Sequence, residues 1–154
     1  MKFAFALIFF VAVFGSSLAF WSACTGSILP TIDSFESPSC TDRCRVTRGD
    51  TFYGTIRMTF REAHQELQTR VTAFIFGIGV NIPIDPAFQN QCDLILFPNG
   101  TRAGCPTIPN QQYMIQAEML VSPLYPAFTN TRVQIDYLEA NERVFCYQIW
   151  ADVV

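Results

Sequence analysis

The chain has 154 residues, half of them hydrophobic, with ten basic and 13 acidic side chains and a formal net charge of −3. A mildly acidic balance with scattered arginines excludes a nucleic-acid binder built on a basic patch and a polybasic membrane-surface binder. The length suits one domain around one core.

The chain opens "MKFAFALIFFVAVFGSSLAF", with one cation at Lys2, an apolar run from Phe3 to Phe14 and small residues at Ser17 and Ala19. This pattern predicts a secretory signal peptide over residues 1–19 and a single secreted domain over 20–154. The apolar run is short for a membrane span, which needs about 20 residues. Lys2 is the only lysine, so the expected mature chain carries nine arginines against 13 acidic residues, a net charge of −4.

A first strand is predicted over Ile28 to Glu36, followed by a tight loop from Cys40 to Cys44. In "TFYGTIRMTFR", residues 51–61, Phe52, Gly54, Ile56, Met58 and Phe60 point one way and Thr51, Tyr53, Thr55, Arg57, Thr59 and Arg61 the other. A two-residue period means a strand with one dry face. "REAHQELQTR", residues 61–70, holds good helix formers but no apolar stripe, and reads as an exposed hairpin connection. "VTAFIFGIGVNIPI", residues 71–84, is dry on both faces and reads as a central or covered strand. Gly54, Gly77 and Gly79 read as marks of curvature. Alternation returns at 112–121, 131–138 and 143–154, the last two joined by the polar turn 139–142. Six or seven short strands between Pro, Gly and Asn clusters predict an all-β, immunoglobulin-like sandwich of two antiparallel sheets.

Six cysteines follow the expected signal: Cys24, Cys40, Cys44, Cys92, Cys105 and Cys146. In an oxidising compartment they predict three disulfides, with 15 connectivities open to the sequence. A metal site is not expected, because there is one histidine and no zinc-ligand spacing. Asn99 begins the single glycosylation sequon, Asn99-Gly100-Thr101. The nearest approach to a catalytic set is His64 with Glu62 and Glu66, which lacks a nucleophile motif and reads as solvated; no enzyme activity and no cofactor are expected. From pattern alone the dry faces suit an ordinary core, since every sandwich turns Phe, Ile and Val inward.

"SPSCTDRCRVTRGDTFYGTIRMTF" at 37–60, "FGIGVNIPIDP" at 76–86, Cys105-Pro106, "VSPLYPAF" at 121–128 and "RVFCYQIWADVV" at 143–154 carry a likeness in their order. Together with the six cysteines they make the chain resemble an arthropod-like secreted member of the Niemann-Pick type C2 family, of the ML lipid-recognition domain class. The resemblance implies pairing of Cys24 with Cys146, Cys40 with Cys44, and Cys92 with Cys105. It implies an apolar cavity between the sheets, faced by Phe52, Ile56, Met58 and Phe60 and contacted by Phe76, Val80, Ile82, Val121, Tyr125 and Tyr137. Tyr125, beside Pro123 and Pro126, is the expected gate residue. The implied role is that of a monomeric carrier of a sterol, fatty acid or similar lipid, in extracellular fluid or an endosomal or lysosomal lumen, with a membrane-protein acceptor as partner. The alternative is an innate-immune or receptor-interaction module for lipid or glycolipid. Ile82 stands where relatives carry a bulkier aromatic, the cysteine loop has only three intervening residues, and the mature chain has no lysine; these departures bear on sterol specificity and on docking to the acceptor.

Overall fold

The computed structural model describes residues 20–25 and 31–154, so the expected signal segment and the first part of the expected strand 28–36 lie outside the described residues. The strands are β1 (Trp21–Ala23), β2 (Thr31–Glu36), β3 (Cys44–Val46), β4 (Thr51–Thr59), β5 (Gln68–Ile75), β6 (Ile78–Ile82), β7 (Ile95–Leu96), β8 (Gln112–Leu120), β9 (Phe128–Glu139) and β10 (Glu142–Val153). One sheet has the order β1-β10-β9-β5-β6, with β3 sharing the β1 edge of β10; the other has the order β2-β4-β8-β7. Every pairing is antiparallel except the three-residue pairing of β3 on β10. The all-β sandwich of two sheets is as expected. The larger strand number comes from the two- and three-residue strands, which are too short to show a period.

Alternation explains the long strands. On β4, Phe52, Gly54, Ile56 and Met58 are buried while their neighbours are half-buried or exposed. Gly54 does more than mark curvature: a Cβ there would stand 2.7 Å from the Phe35 ring, so its absence lets Phe35 of β2 lie against β4. Residues 71–84 are not one strand. Phe76 and Gly77, at φ 51° and 81°, turn β5 into β6 as a two-residue hairpin. Such turns suit the twist of the flanking strands but need left-handed backbone. Across the turn the parity reverses, so Val71 and Ala73 stand opposite Ile82 and Val80 on one face.

The 61–70 segment is not helical, but it is neither a hairpin nor fully exposed: it carries the chain from β4 in one sheet to β5 in the other. Leu67 is fully buried and His64 is 9% exposed, a correction to its reading as a solvated side chain. His64 Nδ1 lies 2.9 Å from Glu139 Oε2, its backbone N–H donates to Thr107 Oγ1, and its carbonyl accepts from the Thr107 N–H. An ionised carboxylate can only accept, so the Nδ1 proton belongs to the imidazole. This contact holds the Glu139 carboxyl below the ordinary carboxylate range, helped by backbone N–H donation from Gln65 and Glu66.

One end of the sandwich is filled. The Phe60 ring lies 5.3 to 5.8 Å from the rings of His64, Tyr113 and Phe145, and Tyr137 stacks on Phe145 at 4.1 Å. Tilted and stacked pairs of this kind add about 0.5–1.5 kcal/mol each beyond burial. The disulfides are Cys24–Cys146, Cys40–Cys44 and Cys92–Cys105. On the outer face of β9, Asp136 is buried beneath Arg143, whose Nε is 2.7 Å away, and Arg70 at 3.2 Å. A buried carboxylate needs such partners, because leaving it unpaired would be strongly destabilising.

Candidate functional site

Beyond the aromatic plug the space between the sheets is hollow. Two chambers of about 340 Å³ each adjoin, with Phe52, Val71, Met119, Tyr125, Val133 and Ile149 bordering both. The outer chamber is walled by the inward faces of β5, β6 and the end of β10, with Ile75, Val80, Ile82, Val121 and Phe128 around it. The inner chamber runs on to Phe35, Ile135, Tyr137 and Tyr147, and opens sideways between Ile84–Phe88 and the β8 segment 116–120. That side is open because β7 covers β8 only at Met114 and Ile115, leaving the rest of that edge unpaired.

Of the expected ligand contacts, Val80, Ile82, Val121, Tyr125 and Tyr137 line this cavity. Tyr125 borders both chambers, and its carbonyl accepts from Arg48 at 3.5 Å. Ile56, Met58 and Phe60 do not line it. They continue the inward face of β4 into the filled end and are at most 1% exposed, so that face looks into the cavity only at Phe52. Phe76 is also elsewhere: it occupies the hairpin turn, 94% exposed. Its parity with Phe74 and Ile78 suggested a wall residue, but the turn breaks the parity. Phe35, Val71, Ala73, Met119 and Val133 escaped the reading, although Met119 shares strand parity with Val121 and Val133 with Tyr137; Val71 and Ala73 reach the face of Ile82 and Val80 only through the hairpin.

The lining is apolar with few polar groups, and neither chamber is lined by Arg, Lys or His among the described residues. Burial pushes the Tyr137 and Tyr147 phenols well above their ordinary range, so both hydroxyls stay neutral. Asp85 and Glu118 stand at the side opening. A wider groove of about 780 Å³ crosses the outside of the second sheet past Tyr53, Glu36 and Arg102, but it is more open and more polar than the two chambers. Apolar burial gives roughly 25 cal/mol per Å² only where water is excluded, which favours the inner cavity as the site. Among the described residues no helix is long and apolar enough to cross a membrane, and no group of three His, Cys, Asp or Glu side chains is placed to hold a metal ion.

The fold is shared with solved proteins of low sequence identity. A Niemann-Pick type C2 protein from Japanese carpenter ant superposes with a TM-score of 0.72 at 14% identity, covering 87% of this chain and 98% of the other. Chicken MD-1, solved in complex with lipid IVa, superposes with a TM-score of 0.52 at 14% identity, covering 84% and 85%. No curated protein matches the sequence significantly. Residues 19–153 match the ML domain, and the chain therefore belongs to the ML domain family.

Proposed function

We propose that the protein is a non-enzymatic lipid carrier that holds one hydrophobic ligand between its two sheets. The observation that carries this reading is the pair of adjoining apolar chambers beside a filled core, with Tyr125 bordering both and no cation on their walls among the described residues. A ligand placing a few hundred Å² of hydrocarbon there gains several kcal/mol from burial alone. Ligands consistent with such walls are sterols, fatty acids and similar lipids. The three disulfides fit an oxidising compartment, either extracellular fluid or an endosomal or lysosomal lumen, reached through the expected signal segment. We further propose that the carrier acts as a monomer, delivers to a membrane-protein acceptor and carries a glycan on Asn99, which is exposed in its loop.

A receptor-interaction module for glycolipid is the second reading. The lipid IVa complex of chicken MD-1 motivates it, and so does Arg48 beside Tyr125. Against it, Arg43 is engaged by Asp152 at 3.3 Å, leaving the arginine group near the short cysteine loop poorly arranged for phosphate. Native mass spectrometry of the disulfide-intact protein, followed by solvent extraction, tests the carrier reading. A stoichiometric neutral lipid or fatty acid supports it. An empty protein that refuses sterols, fatty acids and long-chain alcohols refutes it, and salt-sensitive affinity for anionic lipid favours the second reading.

A further inference from the structure

Two side chains that line the inner chamber carry a buried oxygen with no hydrogen-bond partner among the described residues: Thr69 Oγ1 and Gln91 Oε1. Gln91 is 5% exposed. Its orientation is set, because Nε2 donates to the Phe88 carbonyl at 2.8 Å and a carbonyl can only accept. The side-chain oxygen is thereby turned away from that contact and left as a free acceptor. Thr69 and Gln91 are diagonal neighbours on one face of a short antiparallel ladder in which Thr69 N–H donates to the Gln89 carbonyl and Gln91 N–H to the Leu67 carbonyl, a spacing of about 7–8 Å that long side chains bridge. Thr69 shares strand parity with Val71 and Ala73, which wall the same cavity. Buried polar side chains are ordinarily satisfied, so two neighbouring exceptions in one apolar chamber ask for a shared partner.

We infer that Thr69 and Gln91 form a headgroup site in the inner chamber, which takes the hydroxyl of a neutral lipid. This rests on the carrier reading and narrows its ligand. A hydroxyl donates its proton to Gln91 Oε1 and accepts from the Thr69 hydroxyl, satisfying both atoms. An ionised carboxylate can only accept, would leave Gln91 unpaired, and finds among the described residues no cation on the chamber wall and two carboxylates, Asp85 and Glu118, at its rim. The hydrocarbon then extends toward the outer chamber. Ile75 lies six residues along β5 from Thr69, about 20 Å at the rise of an extended strand, which matches a long chain or a sterol body.

The test compares hexadecanol with its methyl ether, with hexadecane and with palmitate, each displacing a fluorescent apolar probe from the disulfide-intact protein at neutral pH. Cholesterol and its methyl ether are run alongside. The expected result is a preference of about tenfold for at least one alcohol over its ether, which also tells whether the hydroxyl arrives on a chain or on a sterol. Palmitate is expected to bind more weakly than hexadecanol, and Thr69→Val combined with Gln91→Met should erase the preference while the ethers bind as before. The ligand comparison needs no mutant, so a variant that fails to fold does not decide the matter. Equal affinity for both alcohols and their ethers, tighter binding of palmitate, or a preference that survives in the folded double variant overturns the headgroup site while leaving the carrier intact. Binding of none of these molecules overturns both.

Discussion

Replacing Val121 by Trp fills the outer chamber without touching the aromatic plug. Val121 is 2% exposed, lines the outer chamber, and is fixed there by backbone bonds to Gly49 and Asp50. The two chambers are equal in volume, so a ligand spanning both places about half its apolar area in each. If the ligand buries about 300 Å² in all, closing one chamber removes about 150 Å², or roughly 4 kcal/mol, which is on the order of a thousandfold in Kd. The assay is titration of hexadecanol against a bound fluorescent probe, with a thermal melt to show that the variant remains folded. Phe60→Ala is the control, since it removes a ring from the filled end and should cost about 3–5 kcal/mol of stability while leaving the affinity of the folded molecule unchanged. A folded Val121→Trp protein that binds as tightly as the parent would refute the placement of ligand in the outer chamber.

Three further outcomes follow from the fold. Ala140→Gly should stabilise the protein by about 1 kcal/mol in a urea titration, because Ala140 holds φ 49° in the β9–β10 turn, and a loss of stability would contradict that backbone assignment. Opening the Cys24–Cys146 link, which closes a sequence separation of 122, by the double change to serine should cost about 5 kcal/mol in the chain-entropy account; a melt unchanged from the parent would sink that estimate. Glu139 is held below its unfolded value of 4.5, chiefly by His64, so its stabilisation is present above that pH and disappears as pH falls through the folded value. Glu139→Gln should therefore show a shallower loss of stability on acidification below about 4.5, and an identical slope would assign the acid response to other carboxylates, such as Asp152, which Asn130 N–H and Arg43 hold low.

Much of this molecule is legible from residue order. Periodicity of two revealed β4, β8, β9 and β10, because each runs long enough for the pattern to repeat. The β5–β6 hairpin stayed hidden since its turn is Phe76-Gly77, an apolar residue where Asn or Asp ordinarily signals the reversal. Cavity and core could not be separated along β4: Phe52 and Phe60 lie on one face, and only the opposing rings of Tyr113 and Phe145 make the second of them plug rather than wall. His64 and Thr69 read as polar connection, and Gln91 carried no expectation. Their burial follows from Leu67 anchoring the crossover and from the backbone ladder to 89–91, neither of which leaves a periodic trace. For Thr69 the parity with Val71 was available and would have turned it inward.

The hollow half of the sandwich makes cargo part of the interior. A ligand bound at a hundred times its Kd stabilises the folded chain by about 2.7 kcal/mol through mass action alone. Wherever a protease meets the protein, cleavage samples the transiently opened molecule, so copies with and without a bound ligand would differ in lifetime as well as in content. On the proposed carrier reading, supply of lipid would then set how much of the protein persists, with empty copies cleared first.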